Sequence, residues 1–269
     1  MKLSNQPPKG TTDLFPEDFA VRKYIFDTWR SVCVKFGYEE YLTPIVELAS
    51  IYKAKSGEDV GGKELTTFKD RAGRELAIRP EMTPSVTRMV SQIYQQSPKP
   101  IRYFSIANFF RNEKPQRGRA REFWQLNYDI FGSRSISADI EILQVALEIM
   151  LAFEPPKDSF KIYINNRSLI DYILDFVVGV LPEKRVEVVR VMDKWDKISD
   201  DDKTKRLSEL TLGAKQINAL FKYMSSKSAE DLLKSVPQIE NHQGFAEVKQ
   251  IIDDLSELGY GDFIQFNPA

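Results

Sequence analysis

Near the start of the chain, apolar residues recur at intervals of three and four positions, which predicts one buried face of an amphipathic helix. These apolar positions are Phe26, Trp29, Cys33 and Phe36. We expect the helix to begin at Pro16-Glu17-Asp18, because proline suits the first turn and acids favour the positive end of the helix dipole. Gly37 is expected to end the helix. Cys33 lies on the apolar face and is interpreted as a packing residue rather than a nucleophile.

Alternation of apolar and polar residues predicts short strands after this helix. Residues 41–46 favour a strand in which Pro44 takes an edge or interface position, because proline cannot donate a hydrogen bond to a central ladder. Residues 65–68 and 75–78 flank a glycine-containing turn and predict a hairpin. A helix is expected next, over about residues 84–96.

Two longer β segments, at residues 102–110 and 122–131, enclose a loop that is rich in basic residues. An amphipathic helix is predicted over residues 138–151, and a short alternating strand follows at residues 160–164.

The second part of the chain has a different pattern. Residues 168–258 are almost wholly helical in periodicity, with Leu, Ile and Val at intervals of three and four among many charges. We therefore predict a domain boundary near Asn166. Residues 262–269 again indicate a strand. Because such a strand needs partners, the helical block is predicted to be an insertion within a sheet domain.

Composition limits the function classes. Hydrophobic residues make up 42% and charged residues 29% of the 269 residues, which is typical of a soluble globular protein and excludes a disordered or collagen-like chain. The 38 basic and 39 acidic residues give a net charge of -1, which excludes a uniformly basic nucleic-acid binder but not a local basic patch. The single cysteine and the single histidine, Cys33 and His242, cannot form an internal disulfide or a zinc site, so no structural metal is expected.

The N-terminal residues 1–8 contain no apolar stretch of signal-peptide length. No window of the sequence approaches the length and hydropathy of a membrane span. We therefore expect a reducing, cytoplasmic setting and no membrane partner.

The loop between the two long β segments carries a concentrated positive charge. From Lys99 to Glu122, seven lysines and arginines stand against two acids. Arginine side chains bind phosphate oxygens bidentately and keep their charge at any working pH. Charge alone would favour a solvated hairpin tip, but the order of residue types is more specific. Arg111 and Glu113 leave one strand, a glycine-containing basic loop follows, and Arg121-Glu122-Phe123 enters the next strand.

This order resembles motif 2 of the class II aminoacyl-tRNA synthetases, and it is most similar to the histidyl-tRNA synthetase family. Four further stretches resemble that family in the same order along the chain, so chance is a poor explanation. They are residues 8–16 (a Pro-Arg-Gly-Thr-x-Asp segment), 37–44 (motif 1), 76–84 (a Leu-Arg-Pro-Glu-x-Thr turn) and 193–197 (an Asp-Lys-x-Asp-Lys signature of a helical insertion domain).

The resemblance implies an α+β fold, in which helices flank a class II synthetase-like antiparallel sheet and a helical insertion domain is added. It implies a catalytic core over residues 1–167, the insertion domain over residues 168–260 and a return strand over residues 261–269. It also implies ATP-dependent activation of L-histidine and its transfer to tRNA(His), with Mg2+, by a cytoplasmic homodimer whose interface includes Pro44.

The resemblance further implies roles on the nucleotide side of a site. Arg111 would bridge the amino-acid carboxylate and the α-phosphate of ATP, and Glu113 would recognise the adenine; these two are the expected catalytic residues. Phe123 would stack on the adenine ring; the alternative interpretation is that Phe123 is an ordinary core aromatic. Arg119 or Arg121 would meet the outer phosphates, so both are expected among the ATP-binding residues.

Five residues match the family's histidine-binding positions: Glu81, Thr83, Arg111, Gln125 and Asp129. Carboxylates and amides suit a ligand that has two imidazole nitrogens and an α-ammonium group. Bacterial relatives often carry Glu where Asp129 stands, so this acid has a shorter arm. The alternative interpretation of Asp129 is a strand-edge acid that faces water.

The family's second histidine-binding stretch, its motif 3 and its anticodon-binding domain have no counterpart in these 269 residues. We therefore expect an N-terminal portion of a longer synthetase, weakly active or inactive by itself. Two other interpretations stay open. One is a synthetase-like, non-catalytic regulatory subunit of ATP phosphoribosyltransferase, although such subunits generally lack the helical insertion and a full motif 2 loop. The other is a module that only binds tRNA, through lysine and arginine contacts to phosphates.

Overall fold

The computed structural model describes residues 4–55, 59–114 and 116–268. The chain forms two compact units: unit 1 holds Met1–Ala138 and Glu148–Phe153, and unit 2 holds Asp139–Leu147 and Glu154–Ala269. Five residues that bear on the sequence expectations lie outside the described residues. They are residues 1–3 of the N-terminal stretch, Pro115 of the basic loop and Ala269 of the return strand.

The first helix of unit 1, α1, runs over Pro16–Lys35 as the sequence predicts, with Glu17 and Asp18 in its first turn. Cys33 is fully buried. Burial raises the pKa of its thiol to about 12, which keeps the sulfur protonated and agrees with its interpretation as a packing residue. Gly37 follows the helix with a φ of +76°, a backbone conformation that favours glycine.

Unit 1 contains two three-stranded sheets, with the strand orders β1-β5-β6 and β2-β4-β3. The strands are β1 (Glu39–Glu40), β2 (Val46–Leu48), β3 (Thr67–Lys69), β4 (Glu75–Ile78), β5 (Ile101–Phe110) and β6 (Glu122–Phe131). β1 is parallel to β5, whereas the other three pairs that the structure records in these two sheets, β5-β6 among them, are antiparallel. The predicted hairpin and the two long β segments are therefore confirmed.

The strand predicted over residues 41–46 is wrong. Strands flank this segment at Glu39–Glu40 and Val46–Leu48, but the residues between them are irregular. Tyr41 N still donates to Phe104 O at 2.9 Å, which continues the β1-β5 pairing by one residue. Pro44 is exposed and has no N–H with which to extend a ladder.

Two further helices lie in unit 1, α2 (Ala49–Lys55) and α3 (Thr83–Ser91). α3 is shorter than the predicted residues 84–96, because the chain continues after Ser91 in turns with i to i+3 hydrogen bonds such as Ile93 N to Val90 O at 3.0 Å. Apolar residues from α3 and β5 form a buried cluster: Met82, Val86, Val90, Ile101, Ala107 and Phe109. This cluster fixes the start of α3 on β5, which matters for the site described below.

Helix α4 spans Ile136–Leu151, close to the predicted residues 138–151. In unit 2, β7 (Ile162–Ile164) pairs in parallel with β8 (Ile264–Phe266). The helices between these strands are α5 (Arg167–Tyr172), α6 (Arg185–Met192), α7 (Asp200–Glu209), α8 (Ala214–Met224), α9 (Ala229–Ser235) and α10 (Gln243–Leu255). The helical block and the two strands that bracket it agree with the sequence pattern.

Unit 2 includes β7 and β8 together with the helical block, because these strands pair with each other and pack with α10 through Ile164, Leu255 and Ile264. The domain boundary near Asn166 stays a prediction. Asn166 caps α5, since its side chain accepts hydrogen bonds from the backbone N–H groups of Ser168 and Leu169. Within the part of the chain that the structure describes, no helix is long and apolar enough to cross a membrane.

Candidate functional site

Three of the predicted site residues lie on one face of β6. Successive side chains of a strand point to opposite faces, so Phe123, Gln125 and Asp129 share a face with Asn127. The ten-residue register with β5 is continuous, from Ile101 opposite Phe131 to Phe110 opposite Glu122. Because β6 is continuous and regularly paired, these four side chains form one row, and all four are partly buried.

The turn before α3 meets the end of β5 at Arg111. Arg111 Nε donates to Pro80 O at 3.1 Å, and the guanidinium carbon lies 5.0 Å from the ring centroid of Phe123. Glu81 is the residue after Pro80 and is partly buried, whereas Thr83 is exposed at the start of α3. The structure thus brings Arg111 together with Phe123 and with the turn that carries Glu81.

The basic loop is closed at its base and across its middle. Arg111 N donates to Arg121 O at 2.9 Å, one residue beyond the β5-β6 ladder. Gln116 and Arg119 form an isolated antiparallel bridge. Glu113 Oε2 lies 3.2 Å from Arg119 Nη1; the Glu113 side chain is 17% exposed and that of Arg119 is 64% exposed. An ion pair with one side open to water is weak, so Glu113 can exchange Arg119 for another partner.

The two loop arginines that the sequence treats as alternatives have different surroundings. Arg119 projects into solvent, and its recorded contact is the pair with Glu113. Arg121 is partly buried, and its Nε donates to Glu113 O at 3.0 Å. Of the two, Arg119 is the one whose guanidinium faces solvent, where an anionic ligand could reach it.

Asp129 has polar neighbours on β5 and β6 and at Tyr41, which form one cluster. Burial raises the pKa of its carboxyl above the ordinary value for aspartate. Several buried side-chain atoms among the described residues have no hydrogen-bond partner, and three of them belong to this cluster: Tyr41 Oη, Ser105 Oγ and Asn127 Oδ1. Buried polar atoms are normally hydrogen-bonded, so this cluster is suited to a polar ligand group or to water.

Electrostatics link Tyr41 to the same cluster. The pKa of Tyr41 is raised, first by burial and further by the negative charge of Asp129. The Ser105 hydroxyl lies near enough to lower that pKa, although the geometry of the two hydroxyls does not complete a hydrogen bond. Sequence reasoning missed Tyr41, Ser105 and Asn127. The period of two in β6 could have found Asn127, because it lies between Gln125 and Asp129.

Arg79 is a further residue that sequence reasoning left without a role. It is buried, and its Nη1 donates to Thr43 O at 2.9 Å while its Nε donates to Asn108 O at 2.8 Å. Its guanidinium carbon lies 5.3 Å from the ring centroid of Phe109. Burial lowers its pKa. Arg79 therefore joins the end of β4 to β5 just before the turn that carries Glu81.

A cleft of about 770 Å³ opens on the α1 side of the end of β6. Phe19, Arg22 and Phe26 of α1 line it together with Phe123 and Trp124. Glu81, Gln125 and Asp129 are not among its lining residues, so this cleft does not contain these predicted histidine-binding residues.

No cluster of described residues has the composition of a protein-only metal site: no group of three or more His, Cys, Asp or Glu side chains could hold an ion. We therefore assign no metal ligand within residues 4–55, 59–114 and 116–268.

Comparison with known sequences gives one family. A family model described as histidyl-tRNA synthetase matches residues 10–269. A histidine–tRNA ligase of Leptospira biflexa is 41% identical over 272 aligned residues, which cover 100% of this chain and 61% of the relative. A histidine–tRNA ligase of Pyrococcus horikoshii is 35% identical and is matched over 96% of this chain and 60% of its own length. The chain thus spans about three fifths of the length of these curated relatives.

Solved structures share the fold. A Bacillus halodurans protein described as an ATP phosphoribosyltransferase regulatory subunit/histidyl-tRNA synthetase has a TM-score of 0.84 and 21% identity, over 99% of this chain and 68% of that one. A histidyl-tRNA synthetase from Nostoc sp. PCC 7120 has a TM-score of 0.84 and 19% identity, over 99% and 61% of the two chains. These likenesses confirm the α+β class II synthetase-like fold that the sequence predicts.

Proposed function

The chain belongs to the histidyl-tRNA synthetase family, and on this premise we propose that it forms the part of a histidine–tRNA ligase that binds histidine and ATP. The observation that carries the proposal is the position of Arg111. Its guanidinium lies between the turn of Glu81, on the amino-acid side, and the ring of Phe123, on the nucleotide side. A cation at this junction is suited to joining two anionic substrates.

The proposed reaction begins with an attack of the histidine carboxylate on the α-phosphate of ATP. A carboxylate oxygen forms a bond to phosphorus, the bond to the β-phosphate oxygen breaks, and pyrophosphate leaves. Both reactants are anions, so Arg111 would offset their repulsion and hold them in line. Positioning of this kind can contribute roughly 7–11 kcal/mol to lowering a barrier, and no side-chain nucleophile is needed.

On the nucleotide side, we propose that Phe123 stacks on the adenine and that Glu113 accepts from its amino group. Arg119 would then leave Glu113 and bind the outer phosphates, because its side chain is 64% exposed. The resemblance also implies ATP binding by Arg121, but its guanidinium donates to backbone carbonyls, which favours a different role. Mg2+ would arrive with the ATP phosphates, since this ion is usually held by substrate phosphates and water more than by a protein cage.

On the amino-acid side, we propose that Glu81 and Thr83 receive the α-ammonium group. Gln125 and Asp129 would face the imidazole, whose N–H groups need acceptors. The partnerless oxygens near Asp129 support a polar ligand group on this face of β6. The second step, transfer of the activated histidine to tRNA(His), is part of the proposal for the whole ligase in the cytoplasm.

For the domain organisation, we propose the catalytic core at residues 1–167, a helical insertion at residues 168–260 and a return strand at residues 261–269. The parallel pairing of β7 with β8 supports an insertion, because it brings the two ends of the helical block together.

We also propose a homodimer whose interface includes Pro44. Exposed apolar residues surround this proline: Leu42 is 71% exposed, Ile45 46% and Leu48 49%. A Leu42→Asp variant is expected to shift the chain from dimer to monomer in sedimentation analysis. Leu181→Asp, which changes a similarly exposed leucine of unit 2, is expected to leave the mass unchanged. A dimer that persists in Leu42→Asp would contradict this interface.

Histidine-dependent exchange of pyrophosphate into ATP tests the proposed activity. We would compare this chain alone with this chain joined to the remaining two fifths of the Leptospira biflexa relative. The joined protein is expected to catalyse exchange that depends on histidine, whereas the chain alone is expected to be weak or inactive. If the joined protein is inactive under conditions in which the relative is active, the proposal is wrong and a non-catalytic regulatory role gains support.

A further inference from the structure

Arg121 connects the two limbs of the basic loop to an N-terminal segment that lies more than a hundred positions earlier. Its backbone N–H donates to Gly10 O at 2.8 Å, and its carbonyl accepts from Arg111 N at 2.9 Å. Its side-chain Nε donates to Glu113 O at 3.0 Å, and its Nη1 makes a longer contact of 3.5 Å with Lys9 O. Both limbs of the basic loop and the N-terminal segment therefore converge on one residue.

The N-terminal segment is itself shaped for this contact. Residues 8–11, here called the strap, form a turn in which Thr11 N and Thr11 Oγ1 both donate to Pro8 O, at 3.0 and 2.7 Å. Gly10 O accepts a second hydrogen bond, from Glu122 N at 3.1 Å. The strap thus fixes the point at which the basic loop returns to β6.

Gly10 cannot be replaced without disturbing Arg121. Its φ of +91° favours glycine. In addition, a Cβ atom at this position would lie 2.8 Å from Arg121 Cγ and 3.0 Å from its Cβ and Cδ, which is too close for real atoms. The side chain of Arg121 therefore lies directly against the backbone of the strap.

We propose that Arg121 is a positioning residue that clamps the basic loop to the strap, rather than a ligand of the ATP phosphates. Its guanidinium donates to backbone carbonyls on both sides, while that of the more exposed Arg119 remains near the surface. Through its carbonyl and its Nε, Arg121 holds the segment that carries Arg111 and Glu113. The consequence for ATP binding rests on the proposed function; the clamp itself does not.

Hydrogen exchange of the amides of residues 111–113 and 119–122 tests the clamp directly in this chain. Gly10→Ala and Arg121→Ala are each expected to speed exchange about tenfold, the effect of losing roughly one hydrogen bond of this kind. Arg121→Lys should restore part of the protection, because an ammonium group can still donate to one carbonyl. Arg117→Ala, at an exposed arginine of the same loop outside the clamp, should leave hydrogen exchange unchanged.

Gly73→Ala is the matched glycine control. Gly73 has a φ of +79°, close to that of Gly10, but a Cβ there would meet nothing within 4 Å. It therefore measures the cost of the backbone conformation without the collision. In a cycle of thermal stability measurements, Gly10→Ala should lower Tm more than Gly73→Ala in the parent chain. In the Arg121→Ala background the difference between the two should shrink, because the colliding Cγ and Cδ are gone and only the Cβ contact at 3.0 Å remains.

Binding of Mg2+-ATP by calorimetry separates the clamp from the proposed function. We expect Gly10→Ala and Arg121→Ala to weaken ATP binding by similar factors, because both release the same loop. If Arg121→Ala leaves amide hydrogen exchange unchanged but loses much of the ATP affinity, the clamp is wrong and Arg121 is a phosphate ligand. Additive effects of Gly10→Ala and Arg121→Ala on Tm would also overturn the clamp.

If the parent chain and the joined protein both fail to bind ATP, the proposed function is wrong. The hydrogen-exchange and Tm results still decide the clamp in that case.

Discussion

Arg79 donates two hydrogen bonds to Asn108, one from Nε to the main-chain oxygen at 2.8 Å and one from Nη2 to Oδ1 at 3.2 Å. The oxygens that Arg79 contacts through these bonds, and through its bond to Thr43 O, are all uncharged. A buried guanidinium is tolerated here because backbone and amide oxygens replace its water. The arrangement fixes the turn that presents Glu81 against the end of β5.

Arg79→Met is expected to lower the free energy of unfolding by about 3 kcal/mol or more. The change removes hydrogen bonds from a charged donor and leaves the buried oxygens of Thr43 and Asn108 without partners. Chemical denaturation of unit 1 measures this free energy. Arg71→Ala, in the exposed hairpin turn, is the control, and its free energy of unfolding should stay within about 0.5 kcal/mol of the parent value. Equal effects of the two substitutions would show that Arg79 has no anchoring role.

Arg111→Ala is expected to reduce histidine-dependent pyrophosphate exchange by the joined protein by about 100- to 1000-fold. One preorganised donor at a developing charge typically contributes roughly 3–4 kcal/mol to transition-state stabilisation. Arg117→Ala, at an exposed arginine of the same loop, controls for the loss of one positive charge. Near-normal exchange in Arg111→Ala would remove this residue from the catalytic role.

The sequence predicts the two long strands to within one residue because their pairing partner is adjacent in the chain and their alternation is regular. It also predicts that Phe123, Gln125 and Asp129 share a face, since the period of two is a local property. The prediction over residues 41–46 fails because apolar alternation there competes with Pro44, which cannot continue a ladder.

The rest of the site depends on contacts that no local pattern contains. Ser105 reaches the neighbourhood of Asp129 through the β5-β6 register, in which it lies opposite Asn127. Tyr41 follows β1, whose parallel pairing with β5 nothing in the spacing of these residues indicates. Arg119 and Arg121 are equivalent in the sequence, two arginines of one basic loop. Their contacts distinguish them, since Arg119 pairs with Glu113 at the surface whereas Arg121 lies against Gly10, more than a hundred positions earlier.

Glu81→Gln is expected to weaken histidine binding by about 1.5–3 kcal/mol while leaving ATP affinity nearly unchanged. The substitution keeps the size of the side chain and removes the charge that would pair with the α-ammonium group. Calorimetric titration of the joined protein with each ligand measures the two effects separately. Glu122→Gln is the control, because Glu122 accepts from Asn108 Nδ2 at 2.9 Å on the opposite face of β6. Equal losses for both ligands in Glu81→Gln would place Glu81 outside the amino-acid side of the site.

Lys203→Ala is expected to lower the stability of unit 2 by about 2 kcal/mol. Its buried ammonium lies 4.8 Å from the ring centroid of Trp195 and 2.7 Å from Asp200 Oδ1. A desolvated cation over an indole ring is worth about 2 kcal/mol, more than an exposed ion pair. Denaturation followed by tryptophan fluorescence measures the change, and Lys205→Ala on the exposed side of α7 should change stability by less than about 0.5 kcal/mol. A loss as small as that of the control would show that the ring contact contributes nothing.

Asp129 is expected to make the stability of unit 1 fall as pH rises. Burial raises the pKa of its carboxyl in the folded state, whereas in the unfolded chain an aspartate titrates near about 3.9. Between these two values the folded state binds more protons than the unfolded state, so the stabilisation that protonated Asp129 contributes is complete below the unfolded pKa. It is lost as pH rises through the folded pKa.

Asp129→Asn removes this titration, so we expect its Tm to exceed that of the parent chain at about pH 7 and to approach the parent value at about pH 4. The exposed Asp158→Asn variant serves as the control and should show no such trend. Histidine binding should change in the opposite direction: the charged carboxylate is the form that accepts from an imidazole N–H, so Asp129→Asn should bind histidine more weakly although it is more stable. If Asp129→Asn is less stable than the parent at about pH 7, the charged Asp129 carboxylate stabilises the fold. The prediction that its burial destabilises unit 1 at this pH would then be wrong.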